Sequence, residues 1–363
     1  MKVDGTDPAA IAPLDTRISA YDSRTDRGRI SLKEIGVGIA ITGSGSATPA
    51  NILDNQALCQ MVETSEDWIE SRTGIRSRRV ASGTESLTEL ATQAASKAVA
   101  MAGLQPTDLD LIVLATSTAD DLFGSASKIQ ANLGATRAVA FDLTAACSGF
   151  LFGFVTAAQF IRTGVYKNVL VIGADLLSRW VDWGDRRTCI LFGDGAGAVV
   201  MQANPTRDRL LGFELCSDGS QNDCLTLAFQ PQEKALTPSV AVGQGTYQFI
   251  SMNGKEVYRF AVKRVPEVIE KALYRADIEV DRVDWLLLHQ ANQRILDAVA
   301  VRLKIPPEKV LSNLANYGNT SAASIPIALD EAVREGKIKP GDVIAAAGFG
   351  AGLTWGSAIF EWG

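Results

Sequence analysis

One pattern occurs twice along this chain, in the same order and at nearly the same spacing, and that restricts the folds open to it. Residues 108–115 (DLDLIVLA) are matched by residues 282–289 (RVDWLLLH), with Leu114 and Leu288 174 positions apart (288 − 114). The junction Cys147-Ser148-Gly149 lines up with Asn319-Thr320-Ser321, 172 positions on (319 − 147). The apolar run 169–174 lines up with 343–347, and the glycine-rich 193–197 with 348–352. Three of the four share a near-constant offset and the fourth follows in the same order, which means an internal duplication. Two halves rich in strands and helices, each hiding an apolar helix, predict an α/β sandwich with helices between and outside two sheets. The expected organisation is a flexible leader over residues 1–34, a first half over 35–207 and a second over 208–363.

The duplication also says where chemistry would sit. Residues 138–143 are β-prone, and residues 148–163 are apolar on every side of a helical wheel until Arg162, which marks a buried helix. Cys147 then lies at a helix N-terminus, where unpaired N–H groups and the helix dipole favour a thiolate. The alternative is an inert buried cysteine, a common fate of this residue type. Asn319 opens the matching helix of the second half, so both residues point at one crevice. His289 closes the strand 285–288, and strand ends are where α/β proteins hold catalytic side chains. Taken singly, His289 reads as a satisfied core histidine and Asn319 as a helix cap; their joint placement favours a site.

The remaining chain supplies scaffold. Residues 37–42 predict a buried strand before a turn-rich 43–49, residues 51–63 a helix, and Ser65 the cap of a short helix containing Trp68. Four arginines within 71–79 form either a solvated loop or a phosphate-binding rim beside Trp68. Residues 87–101 predict a helix and 109–116 a strand buried on both faces. Residues 193–198 match G-x-G-x-x-A but continue as a strand instead of opening a helix, so no nucleotide site is assigned.

Composition removes several function classes. A net charge of −6 and a pI near 5.1 argue against nucleic acid. Five cysteines without a CxxC pair read as reduced thiols and a cytoplasmic protein. No apolar run approaches the ~20 residues of a membrane span. His289 is the single histidine, which excludes histidine-built metal sites. The leader carries six basic and six acidic side chains without an apolar stretch, so it is not a signal peptide.

Several motifs resemble the condensing enzymes of the thiolase fold, and within them the β-ketoacyl-acyl carrier protein synthase III family. They are Asp67-Trp68-Ile69 with Arg72-Thr73-Gly74-Ile75-Arg76, Ala145-Ala146-Cys147-Ser148-Gly149-Phe150, Phe192-Gly193-Asp194-Gly195-Ala196, His289-Gln290-Ala291-Asn292, Asn316-Tyr317-Gly318-Asn319-Thr320-Ser321, and Gly350-Ala351-Gly352-Leu353-Thr354-Trp355-Gly356-Ser357. The resemblance spans residues 36–363. It implies a five-layer αβαβα sandwich and a Cys-His-Asn set, relatives with two histidines being ruled out. It further implies that Cys147 accepts the acyl group of acetyl-CoA or another short acyl-CoA, and that His289 and Asn319 act on the malonyl group of malonyl-acyl carrier protein. The backbone N–H groups of Cys147 and Ala351 would form the oxyanion hole, with Ala351 standing where relatives often carry glycine. Trp68, Arg72 and Arg186 match residues that hold coenzyme A, Asn292 lines the pantetheine tunnel, and Phe123 enters the acyl pocket of a partner subunit, implying a homodimer. No cofactor is implied.

Acyl carrier proteins are acidic, so a net-negative enzyme needs a local basic patch. Lys255, Arg259 and Lys263 recur every four residues on one helix face, with Arg294 a further candidate; the alternative is a solvated stripe. Three rivals remain. A papain-like protease would need C-G-[SA]-C-[WY], which is absent. A non-catalytic thiolase-fold binding protein fits poorly with an intact Cys-His-Asn set. Related type III condensing or acyltransfer enzymes of polyketide or secondary metabolism, using other primers, stay open.

Overall fold

A computed structural model describes residues 36–363; the leader expected over residues 1–34 lies outside the described residues. The first sheet holds β1 (Gly38–Ala47), β2 (Leu111–Ala115), β3 (Val139–Leu143), β4 (Asn168–Leu176) and β5 (Asp194–Asn204) in the order β1-β5-β4-β2-β3. The second holds β6 (Leu210–Ser217), β7 (Trp285–Leu288), β8 (Val310–Leu311), β9 (Val343–Gly350) and β10 (Thr354–Glu361) in the order β6-β10-β9-β7-β8. Strand for strand the two orders are the same. The directions agree as well: β2 is parallel to both β3 and β4, as β7 is to β8 and β9, and the other pairs are antiparallel.

Two apolar helices, α4 (Gly149–Arg162) and α7 (Ser324–Arg334), fill the space between the sheets. Their core joins Phe150, Phe154 and Ile325 to Val113 and Val171 of the first sheet and to Leu287, Ile344 and Phe360 of the second. Phe154 is 1% exposed and lies 5.3 Å from the Phe360 ring, so its loss to alanine should cost about 3–5 kcal/mol. Helices α2 (Leu87–Met101) and α3 (Ala126–Leu133) cover the outer face of the first sheet, and α5 (Gly254–Ala276) and α6 (Gln293–Leu303) that of the second. The layers therefore run helix, sheet, helix, sheet, helix, a thiolase-like α/β sandwich.

Three expectations need correction. The first strand does not stop at residue 42 but runs to Ala47, because Gly43 and Gly45 are packing residues: a Cβ on either would sit 2.2 Å from a backbone carbonyl of α2. The helix expected over 51–63 is instead a short strand, Ile52–Asp54, paired with Ser77–Arg79, followed by a single turn, Asn55–Leu58. The repeat also has a different register. Asp110 N–H bonds to Asn168 and Asp284 N–H to Val343, so β4 and β9 correspond with an offset of 175 (343 − 168). The turns before α4 and α7 agree: Ala146 (φ 47°) and Ser321 (φ 52°) both adopt left-handed backbone, again 175 apart (321 − 146). Cys147 is therefore equivalent to Ala322, and Asn319 to Thr144. Residues 193–197 lead β5, the counterpart of β10, and do not match 348–352.

Candidate active site

The left-handed residue before each central helix turns the chain sharply, so a one-turn 3₁₀ segment, Ala146–Ser148 or Ser321–Ala323, leads into α4 or α7. These two elbows meet between the sheets. Cys147 of the first lies at the floor of a cavity of about 410 Å³ that His289 and Asn319 also line, with Leu191, Phe192 and Phe349 as apolar wall. The structure thus brings the three expected residues into one space, although Cys147 and Asn319 are not equivalent by the repeat.

Each polar group has its donors and acceptors fixed. His289 follows β7 directly, and its Nδ1 lies 2.7 Å from Ser324 Oγ. Ser324 Oγ also accepts the Gln290 N–H at 3.3 Å, and with its own proton turned to Nδ1 it would leave the hydrogen of His289 on Nε2. Burial pushes His289 down to about 3, so the ring is neutral at physiological pH. Asn319 Oδ1 accepts the Ser321 N–H at 2.9 Å, leaving its NH₂ as the cavity-facing donor. Its backbone is anchored on both sides, N–H to Leu191 and carbonyl to Gly193. Gly318 (φ 65°) and Gly193 permit this: a Cβ there would meet Leu191 O at 2.7 Å and Tyr317 O at 2.2 Å respectively.

Burial pushes the Cys147 thiol up to about 12, and the hydrogen bond from Ser321 works against that rise. Ser321 Oγ lies 3.3 Å from Sγ. Gly350 faces the elbow from the end of β9, where a Cβ would sit 2.6 Å from Cys147 N. The following turn with Ala351 is tied to the elbow by Thr354, whose Oγ1 lies 3.1 Å from both Ala145 O and Ala351 O and 2.8 Å from Ser148 Oγ. A buried sulfur beside a neutral imidazole and an amide NH₂ can serve acyl transfer and can stabilise an enolate.

The other expected residues fall into three groups. Trp68 and Arg186 stack at 5.2 Å on the surface, beside the exposed Arg72. Asn292 lines the cavity, but its amide is occupied by Arg72 O (3.0 Å) and Arg294 N–H (2.9 Å), joining α1 (Glu66–Thr73) to α6. Lys255 and Arg294 stand at the mouth, Arg294 over Tyr258 at 5.5 Å; Arg259 pairs with Glu256 at 2.9 Å, and Lys255, Arg259 and Lys263 are all exposed. Phe123 is fully exposed and touches no part of the cavity lining of its own chain. The phosphate-rim reading of 71–79 fails for Arg78, which is buried and bonds Leu53 O, Asn55 Oδ1 and Ile190 O. Sequence reading missed Ser324, Ser321, Asp175 and Gly350. A carboxylate closing the otherwise apolar strand 169–176 was the one available signal, since a buried charge needs partners.

The comparisons with known proteins agree with this class. Residues 141–219 match the model of 3-oxoacyl-[acyl-carrier-protein (ACP)] synthase III, and residues 273–362 that of its C-terminal domain. The chain is 71% identical over 327 residues to the beta-ketoacyl-[acyl-carrier-protein] synthase III of Nostoc sp. PCC 7120, covering 90% of this chain and 99% of that one. Crystal structures of 3-oxoacyl-[acyl-carrier-protein] synthase III from Aquifex aeolicus VF5 (44% identity, TM-score 0.83, 90% and 100% covered) and of FabH from Pseudomonas aeruginosa PAO1 (40%, 0.81, 90% and 98%) share the fold. Fold and site define a thiolase-like condensing enzyme. The chain belongs to the β-ketoacyl-acyl carrier protein synthase III family, whose members are acyltransferases that condense acyl-CoA with malonyl-acyl carrier protein in fatty acid synthesis.

Proposed function

We propose that Cys147 takes the acyl group of acetyl-CoA or a similarly short acyl-CoA, and that His289 and Asn319 then hold the enolate formed when malonyl-acyl carrier protein loses carbon dioxide. The observation that carries this reading is the convergence of one thiol and two neutral donors in one buried cavity. Neutral donors stabilise developing negative charge strongly where water is excluded. Attack of the enolate carbon on acyl-Cys147 gives the 3-oxoacyl-acyl carrier protein. The N–H groups of Cys147 and Ala351 would bind the oxyanion of acyl transfer; alanine keeps the N–H. None of these steps uses a metal, flavin or nicotinamide. Incubation with a panel of acyl-CoAs should place a short acyl group on Cys147, read by mass spectrometry; an adduct elsewhere, or none, would sink the reading.

The surface features complete the proposal. Trp68, Arg186 and Arg72 would hold the nucleotide end of coenzyme A, a reading supported by the Arg186–Trp68 stacking and by Asn292, which links that rim to the cavity. The fully exposed Phe123, beside Leu122 at 86% exposure, fits a homodimer in which it closes a partner's acyl pocket. Phe123→Ala should then admit longer primers, and a parent protein that already takes decanoyl-CoA as well as acetyl-CoA would contradict it. Lys255, Arg259, Lys263 and Arg294 suit an acidic carrier protein. All five cysteines lack disulfide partners, which suits a reducing cytoplasm.

A further inference from the structure

His289 and Asn319 reach the cavity from different segments. His289 follows β7, whereas Asn319 comes two residues after a single helical turn, Leu314–Tyr317, that lies beyond β8. Two groups that meet one developing charge must keep their spacing, since a misplacement of about 1 Å can cost a factor of 10². We propose that Glu331 is the positioning residue that sets this spacing, by holding both ends of the helical turn and, through Asn313 and Gln290, the segment that carries His289. The inference rests on His289 and Asn319 holding the enolate.

Glu331 stands on α7 seven positions (331 − 324) after Ser324, whose Oγ meets His289 Nδ1, so about two turns of one helix separate the supports of the two groups. Its Oε2 accepts the Asn313 Nδ2–H at 2.7 Å, just before the helical turn, and its Oε1 accepts the Tyr317 hydroxyl at the end of it. Asn313 N–H donates in turn to Gln290 Oε1 (3.2 Å). Gln290, 1% exposed and next to His289, donates from Nε2 to Leu288 O (2.7 Å) of β7 and Leu311 O (3.3 Å) of β8. The bonds thus run from the residue after His289 to the residue two before Asn319. The Arg79 guanidinium, 5.8 Å from the Tyr317 ring centroid, further restrains that ring.

A separate set of bonds holds the same turn to the first half. Asn319 N–H donates to Leu191 O (2.8 Å) and its carbonyl accepts Gly193 N–H (3.0 Å), while Ala315 O accepts Arg76 N–H (2.9 Å) and Asn316 O the Ser77 hydroxyl (3.2 Å). These bonds place Asn319 against the first half, but His289 belongs to the second. Strand pairing links β8 to β7 only as far as Leu311 opposite Leu287. Beyond Leu311 the chain leaves the sheet, and Glu331 carries the restraint on to Tyr317. Gly318 (φ 65°, ψ −156°) follows, and the conformational freedom of glycine makes a fixed Tyr317 matter to Asn319. None of the Glu331 bonds involves the elbow that bears Cys147, so acyl transfer should be spared when they are lost.

Glu331→Ala frees both ends of the turn. Carbon dioxide release from malonyl-acyl carrier protein should fall about tenfold in kcat, the worth of one hydrogen bond to a charged group, with KM little changed. Acyl-Cys147 should form from acetyl-CoA at the parent's rate. Tyr317→Phe removes one hydroxyl and should lower release about threefold; it carries the test if Glu331→Ala fails to fold. Glu331→Gln should keep most of the parent's release, since an amide can accept from Asn313 and donate to the Tyr317 oxygen from the same positions. Unchanged release in Glu331→Ala, or in Tyr317→Phe where that variant stands alone, overturns the positioning role. So does an equal fall in both half-reactions, which marks the bonds as structural only, and so does a Glu331→Gln protein as impaired as Glu331→Ala, which gives the role to the charge. A parent protein that releases no carbon dioxide from malonyl-acyl carrier protein would instead overturn the functional reading.

Discussion

At the first elbow Cys147 follows Ala146 and its N–H faces Gly350; at the second Ala322 follows Ser321 and its N–H is bonded by Asp175 at 3.1 Å. Gly350 and Asp175 occupy the same register position in β9 and β4, 175 apart (350 − 175). Both helix starts offer unpaired N–H groups to negative charge. The fold fills one with its own carboxylate, whereas at the other Gly350 brings no side chain. At this sheet position the halves differ by one side chain. The asymmetry recurs twice nearby: Ser324, which orients His289, stands where the first half has Gly149, and His289 itself stands where it has Ala115.

Closing the first elbow should have the largest effect. Gly350→Ala places a methyl against Cys147 N–H, and acylation should fall about 10²–10³-fold, as on loss of one oxyanion donor, while carbon dioxide release falls far less. Single-turnover mass detection of acyl-Cys147 checks this; a rate close to the parent's would mean that the Cys147 N–H binds no oxyanion. Making the second elbow resemble the first at position 324 should cost less. Ser324→Ala frees Nδ1 and lets the ring adopt either tautomer, so carbon dioxide release should drop about tenfold, comparable to one buried hydrogen bond. An unchanged release rate would show that the tautomer is set elsewhere.

A smaller effect lies in stability. His289 is held neutral down to about 3, whereas the unfolded chain takes up a proton near 6.5. Above that range neither state is charged and nothing is lost; as pH falls from 6.5 toward 3 the unfolded state binds the extra proton, and folding weakens. Asp175, whose affinity for protons is raised by folding, works in the opposite direction. The difference between parent and His289→Asn isolates the histidine: the parent should lose more stability on acidification in denaturant titrations. Parallel pH dependences would contradict a buried neutral ring.

The buried strands, the apolar helix after Cys147 and the strand-end place of His289 were legible because hydrophobic periodicity is a local pattern; the convergence of Cys147 with Asn319 was read from an equivalence that the backbone does not keep. The register was not, since matching Cys147 to Asn319 equated two functional residues, whereas the backbone equates Ala146 with Ser321. Nor was the burial of the sulfur, because a helix N-terminus is visible in sequence and the desolvation that opposes it is not. Arg78 sat in a run that looked solvated, yet it is buried against Ile190 O. Asp175, Ser321 and Gly350 each make a contact across the interface between halves, which no single segment records.

The central claim is that one cavity houses two separable chemistries. Radiolabelled carbon dioxide release from malonyl-acyl carrier protein, measured beside mass detection of acyl-Cys147 in Cys147→Ala, His289→Ala and Asn319→Ala, tests it most directly. Acyl transfer needs the sulfur, and decarboxylation needs only donors where enolate charge develops. Cys147→Ala should lose the acyl-enzyme and still release carbon dioxide, whereas the other two should still acylate and lose decarboxylation. A folded Cys147→Ala protein lacking both activities, or His289→Ala with full decarboxylation, would contradict the account.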